Sequence, residues 1–149
     1  MIHPSVQLVS AETVASIRGL PRAAIYKVAD GNFAGCSYNW VWNVGTGSER
    51  ELRFWSKEVN DQKSVAHLSI DQVIQHIVPR REKIPGQFCG MRNWEVGDLL
   101  RVSNITLLAL RKELEVVARE GGIYIPRHSL ENFFRRRWCY ADTAQLCLK

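Results

Sequence analysis

The sequence has none of the short signatures that mark the common catalytic folds: GxxxxGK[ST], GxGxxG, HExxH and GxSxG are all missing. Its four histidines, His3, His67, His76 and His128, stand apart, with no i, i+4 pair to suggest a metal site or a proton relay. The four cysteines, Cys36, Cys89, Cys139 and Cys147, make no CxxC pair and have no histidine at zinc-finger spacing. No apolar run reaches about 18 residues, and Met1 to Ser10 lacks a basic segment followed by an apolar one, so neither a membrane span nor an export signal is expected. These gaps point to a cytoplasmic protein with reduced thiols, no catalytic residues, no metal and no cofactor.

What is present is enough to fold. The chain has 149 residues, 46% of them hydrophobic, with five tryptophans. That suits one ordinary domain or two small ones of about 60 residues each. The net charge of +5 is unevenly placed. Residues 1–78 hold seven Lys/Arg against seven Asp/Glu, whereas residues 79–149 hold thirteen against eight, so the whole excess lies in the second half. A basic region of this kind suits a phosphate backbone, and equally a solvated surface.

The first half reads as helix, turn, helix, hairpin and helix. Ser10 is a good N-cap for a helix from Ala11 to Ile17 with Val14 and Ile17 on one face. Gly19 supplies a left-handed turn, Leu20 plugs the corner and Pro21 opens a second helix that Asp30-Gly31-Asn32 stops. Along that helix Ala24, Ile25 and Val28 form the apolar stripe, leaving Arg22, Ala23, Tyr26 and Lys27 outward. Tyr38 to Val44 alternates, with Tyr38, Trp40, Trp42 and Val44 on one side, and Leu52 to Trp55 is its partner strand. The polar tip between them carries Arg50, and Ser56 is placed to cap a short helix from Lys57 to Asp61. Core packing is the favoured role of Trp40 and Trp42 over stacking on nucleobases.

The run VSAETVASIRGLPRAAIYKVADG, followed by a hairpin and LRFWSKEV, resembles the winged helix-turn-helix of the excisionase and MerR-like superfamily. The resemblance implies that Ala15 is the small residue where two helices touch, that Pro21 to Ala29 is a recognition helix, and that the hairpin is a wing. It also implies a setting on a bacterial phage or mobile element, in cytoplasm or nucleoid.

A second unit echoes the first. Val96 to Lys112 aligns without gaps on Val14 to Asp30, with Gly97 at Ala15, Val102 at Leu20, Leu107 at Ile25 and Leu110 at Val28. Val116 to Arg119 and Ile123 to Ile125 make a shorter wing around Glu120-Gly121-Gly122. IYIPRHSLENFFRRR resembles the final strand and helix of excisionase-type domains, returning Leu130, Phe133 and Phe134 to the core. The second helix-turn-helix departs from the family where Arg101 replaces a turn glycine and where Ile105, Leu108 and Ala109 face outward. That apolar face either lies buried against the first unit or a second chain, or meets DNA beside Ser103, Asn104, Thr106, Arg111 and Lys112.

Between the units, Ser69-x-x-Gln72 is a capping box for a packing helix with Ile70, Val73, Ile74 and Ile77 on one face, and Arg80 to Asn93 reads as a linker. The expectation is a mostly α protein with small β hairpins, a tandem winged helix-turn-helix. Its units are residues 1–66 and 94–149, joined by 67–93. The expected partner is double-stranded DNA, with a homo-oligomer or a host protein as further candidates. Base reading falls to Arg22, Ala23, Tyr26 and Lys27, with the Ser103 to Lys112 residues in the second unit. Phosphate contact falls to Arg50, Arg119, Arg127, Arg135, Arg136 and Arg137. The alternatives are a plasmid or satellite replication initiator, and a phage protein-interaction module.

Overall fold

One order of elements is laid down twice. In the first unit β1 (Leu8–Ser10) leads into α1 (Ala11–Arg18), α2 (Arg22–Ala29), β2 (Val41–Asn43), β3 (Leu52–Trp55) and α3 (Ser56–Asn60). In the second, β4 (Gly90–Arg92) leads into α6 (Asn93–Leu100), α7 (Asn104–Leu110), a 3-10 turn (Arg111–Glu113), β5 (Val117–Arg119), β6 (Gly122–Pro126) and α8 (Arg127–Arg137). Helices α4 (Gln62–Val65) and α5 (Ile70–Ile77) lie between them. The computed structural model describes residues 6–29, 38–48, 50–78, 90–119 and 122–139. Asp30 to Asn32, the linker residues Arg80 to Cys89 and the Glu120-Gly121 turn fall outside the described residues, as do the side chains of Val28, Ala29 and Arg119.

The chain is therefore mixed α/β, with two small antiparallel sheets of the same topology, β1-β3-β2 and β4-β6-β5. In each, the strand ahead of the helices pairs with the second strand of the hairpin: Val9 opposite Phe54, Met91 opposite Ile125. Both helical turns close the same way. The Leu20 amide donates to the Ala15 carbonyl at 3.0 Å, and the Val102 amide to the Gly97 carbonyl at 3.1 Å. Gly19 (φ 67°) and Arg101 (φ 58°) both end their helices in the left-handed region. For arginine that conformation costs about 1–2 kcal/mol, and its side chain has a compensating contact, donating from Nε to the Leu8 carbonyl at 3.3 Å.

Strands β1 and β4 have no forerunner in the sequence reading. Gly90 to Arg92, read as linker, are sheet residues. Ile17 is also corrected: it is 48% exposed. The buried face of α1 is set by Ala11, Val14 and Ala15, and Ile17 lies about 200° round the helix from Ala15. Tyr38 departs from the Trp40 face because regular strand begins only at Val41; it packs edge-on against Phe54 in the core under α1 and α2. Ser56 does not cap α3 but lies inside it, its hydroxyl donating to the Val6 carbonyl. The Ser69–Gln72 capping box forms as read.

Both faces of the first sheet are buried. Val9, Val41, Leu52 and Phe54 face α1 and α2. Leu8, Trp42 and Trp55 alternate to the other side and join Val73, Ile74 and Ile77 of α5 and Val96, Leu107, Phe133 and Phe134 of the second unit in one core. Trp40 and Trp42 are buried there, which takes them out of reach of a nucleobase. Beyond α8, Trp138 stacks on Trp40 at 5.4 Å, and the Cys139 amide donates to the Val41 carbonyl. The end of the second unit thus lies along the free edge of β2. The two units form one packed body with a shared core.

One carboxylate is folded into this framework. Glu58 of α3, 1% exposed, accepts the backbone amides of Asn39 and Trp40, each at 3.0 Å, and so anchors the chain entering β2. Burial raises its pKa above the ordinary 4.5, against the pull of those two amides. The folded state therefore holds the Glu58 proton more tightly than the unfolded chain. Its contribution to stability is greatest below 4.5 and declines as pH rises through the folded value. The stability difference between wild type and Glu58→Gln, which is neutral throughout, should accordingly shrink between pH 4.5 and pH 7 in urea titrations; a difference that widens with pH would reverse the sign.

Candidate nucleic-acid interface

The outward face of α2 is polar, exposed and linked to the hairpin. Arg22 stands on the first turn, where its guanidinium donates from Nε to the Glu12 carboxylate at 2.5 Å and from Nη2 to the Tyr26 hydroxyl at 2.6 Å. The Tyr26 hydroxyl donates in turn to the Arg50 carbonyl at 3.0 Å across to the β2–β3 hairpin. The guanidinium carbons of Arg22 and Arg50 lie 4.4 and 5.3 Å from the Tyr26 ring centroid, within cation–π range. Ala23 and Lys27 are exposed beside them. Four residues read from the sequence as DNA contacts, Arg22, Tyr26, Lys27 and Arg50, are thus gathered on helix α2 and the β2–β3 hairpin, with the fifth, Ala23, exposed on the same helix.

Glu12 was not read from the sequence as part of this site. It lies on α1, and only the Gly19 turn folds α1 back so that its first turn meets the first turn of α2. A hydrogen bond from its own backbone amide, and then the Arg22 guanidinium, hold its carboxyl below the ordinary carboxylate value, while Glu12 holds Arg22 further into its charged form. Glu12 orients the arginine, and any anion taking up this guanidinium has to compete with the Glu12 carboxylate.

In the second unit α7 takes the place of α2, but its chemistry differs. The Ser103 side chain caps the helix, accepting from the Thr106 amide, and the two hydroxyls lie 3.1 Å apart. Both are thus engaged in holding the helix start. Asn104 is exposed, and Arg111 and Lys112 lie in the 3-10 turn past the end of α7 rather than on it. Ile105 and Leu108 are 83% and 62% exposed. The first unit does not cover this face.

The basic helix end is engaged within the fold. Arg137 pairs with the Glu113 carboxylate and donates to the carbonyls of Asn43 and Gly45 at 3.2 and 2.7 Å. Arg135 binds Asp71 and Asn132, and Arg127 binds Glu131 and Gln75. Arg136 donates to the Glu113 carbonyl and remains exposed. Arg119 has its backbone in β5, with its side chain outside the described ones. Arg127, Arg135 and Arg137 join the last helix to α5 and to the base of the β2–β3 hairpin, so the charge excess of the second half is partly internal wiring.

Among the described residues, no helix is long and apolar enough to cross a membrane, and no group of three or more side chains could hold a metal ion. No protein-family model, curated protein or solved structure matches this chain.

Proposed function

We propose that this chain binds double-stranded DNA without catalysing a reaction, as a tandem winged helix-turn-helix protein whose first unit reads the site. The observation that carries the reading is the Arg22–Tyr26–Arg50 arrangement, which fixes a short exposed helix and a wing arginine as one cationic surface. A helix after a tight turn suits the major groove, where the arginine fork matches the guanine O6/N7 edge. The wing then lies beside it on the phosphates. In this reading the second unit buttresses the first, and Arg136 and Lys112 add phosphate contacts. An excisionase-like architectural factor or a transcriptional regulator of a mobile element is the setting that fits the resemblance in the sequence.

The test is fluorescence anisotropy of the full chain on a duplex selected by it from a random library and on a scrambled duplex, at two salt concentrations. Affinity for both should fall with salt through counterion release. Arg22→Ala should weaken the selected duplex about 10- to 100-fold, which is about 1–3 kcal/mol, while changing the scrambled one much less. Equal losses on both would remove Arg22 from base reading.

A further inference from the structure

The turn between α1 and α2 does not need the Glu12–Arg22 pair. The second unit closes the same turn with the same amide-to-carbonyl bond, and there the equivalent positions are Trp94 and Asn104, so both members of the pair are replaced together. Stability does not need it either. The two side chains are 51% and 58% exposed, and an ion pair so open to water contributes little to folding. What the pair does control is the state in which Arg22 meets a ligand. Nε donates to the Glu12 carboxylate and Nη2 to the Tyr26 hydroxyl, while Nη1 makes no hydrogen bond among the described residues. A guanidinium has five N–H groups, so three are left at the terminal fork of Nη1 and Nη2.

We infer that Glu12 is a specificity-determining residue, which makes Arg22 favour the neutral acceptor edge of a base over a phosphate and so weakens the hold of this surface on DNA of arbitrary sequence. The inference rests on the reading of α2 as a DNA-contacting helix. The O6/N7 edge of guanine carries no net charge and accepts from the terminal fork while Nε stays on Glu12. A phosphate on the same guanidinium sets a second anion beside the carboxylate, and has either to bear that repulsion or to displace Glu12. Binding to arbitrary DNA draws its affinity from phosphate contacts, so the carboxylate subtracts more from it than from binding to the selected site. The same competition explains why Arg22→Ala should change the scrambled duplex so little.

Glu12→Gln tests this, because it keeps an acceptor for Nε and removes the charge. Anisotropy titrations of the full chain on the selected and scrambled duplexes, at several salt concentrations, give the readout. Affinity for the scrambled duplex should rise about two- to fivefold, the reach of one exposed ion pair, and its log–log salt slope should steepen by up to about 0.9, the increment for one phosphate. Affinity for the selected duplex should rise less, so the ratio between the two falls. In an Arg22→Ala background, Glu12→Gln should shift both duplexes alike, since the carboxylate acts through the guanidinium. Thermal unfolding should show Glu12→Gln as stable as the wild type. A chain that prefers the selected duplex, but in which Glu12→Gln raises both affinities equally or neither, would overturn the role of Glu12 and leave the DNA reading standing. A chain that binds neither duplex at low salt would overturn both.

Discussion

Trp42→Ala should lower stability by about 4 kcal/mol, within the range for truncating a fully buried tryptophan. The indole is 0% exposed, packs edge-on against Phe134 at 5.5 Å and donates from Nε1 to the Phe134 carbonyl at 2.9 Å. That carbonyl lies in the last turn of α8, where backbone acceptors lose their helical partners, so a side chain of the first unit finishes a helix of the second. Alanine leaves a cavity in the shared core and an unanswered carbonyl at once. Against a typical total of about 5–15 kcal/mol, the loss is a large fraction. Urea unfolding followed by circular dichroism should show one transition moved to lower denaturant, because the affected core belongs to both units. Two separated transitions, with only one displaced, would mean that the units fold independently.

Arg53→Met should cost about 3 kcal/mol. Arg53 sits on β3 among apolar neighbours, 6% exposed, and its guanidinium donates to the carbonyls of Leu100 at 3.0 Å, Arg101 at 2.7 Å and Leu52 at 2.9 Å. Two of these are C-terminal carbonyls of the α6 turn, where a cation also meets the negative end of the helix dipole. Methionine keeps much of the packing volume but leaves buried acceptors without a donor, each at about 1–3 kcal/mol before water reaches it. Arg53→Lys should recover only part of the loss, since a single ammonium cannot serve three carbonyls from a planar fork. The same urea titration measures both, and a methionine variant within about 0.5 kcal/mol of wild type would deny the contact its role.

The parts of this fold that were legible in the sequence are those that local chemistry determines. Ser10, Gly19 and Pro21 announce a helix, a turn and a helix within a dozen residues, and the Ser69–Gln72 box does the same for α5. The alternation around Trp42 and the Leu130, Phe133, Phe134 stripe found their places in the core. What escaped depends on partners far along the chain. Strands β1 and β4 span three residues each, too few to display a period. Arg101 lacks the glycine that marks a left-handed turn, and the contact that accompanies it lies 93 residues away at Leu8. Arg135 and Arg137 read locally as a phosphate-binding cluster, yet their acceptors sit on Asp71, Glu113, Asn43 and Gly45. The same limit applies to the site: the polar face of α2 is visible in its spacing, whereas the Glu12 latch across the turn becomes evident only once α1 and α2 are folded together.

The proposed division between a DNA-reading first unit and a supporting second unit makes a claim about where DNA touches the chain. Backbone hydrogen exchange, read by mass spectrometry with and without a saturating selected duplex, tests it most directly. Peptides spanning α2 and the hairpin residues from Gly45 to Leu52 should gain the most protection, with a smaller gain at the last turn of α8, where Arg136 lies, and little change in α7. Protection centred on α7 and Arg135 to Arg137, with α2 unaffected, would contradict the account.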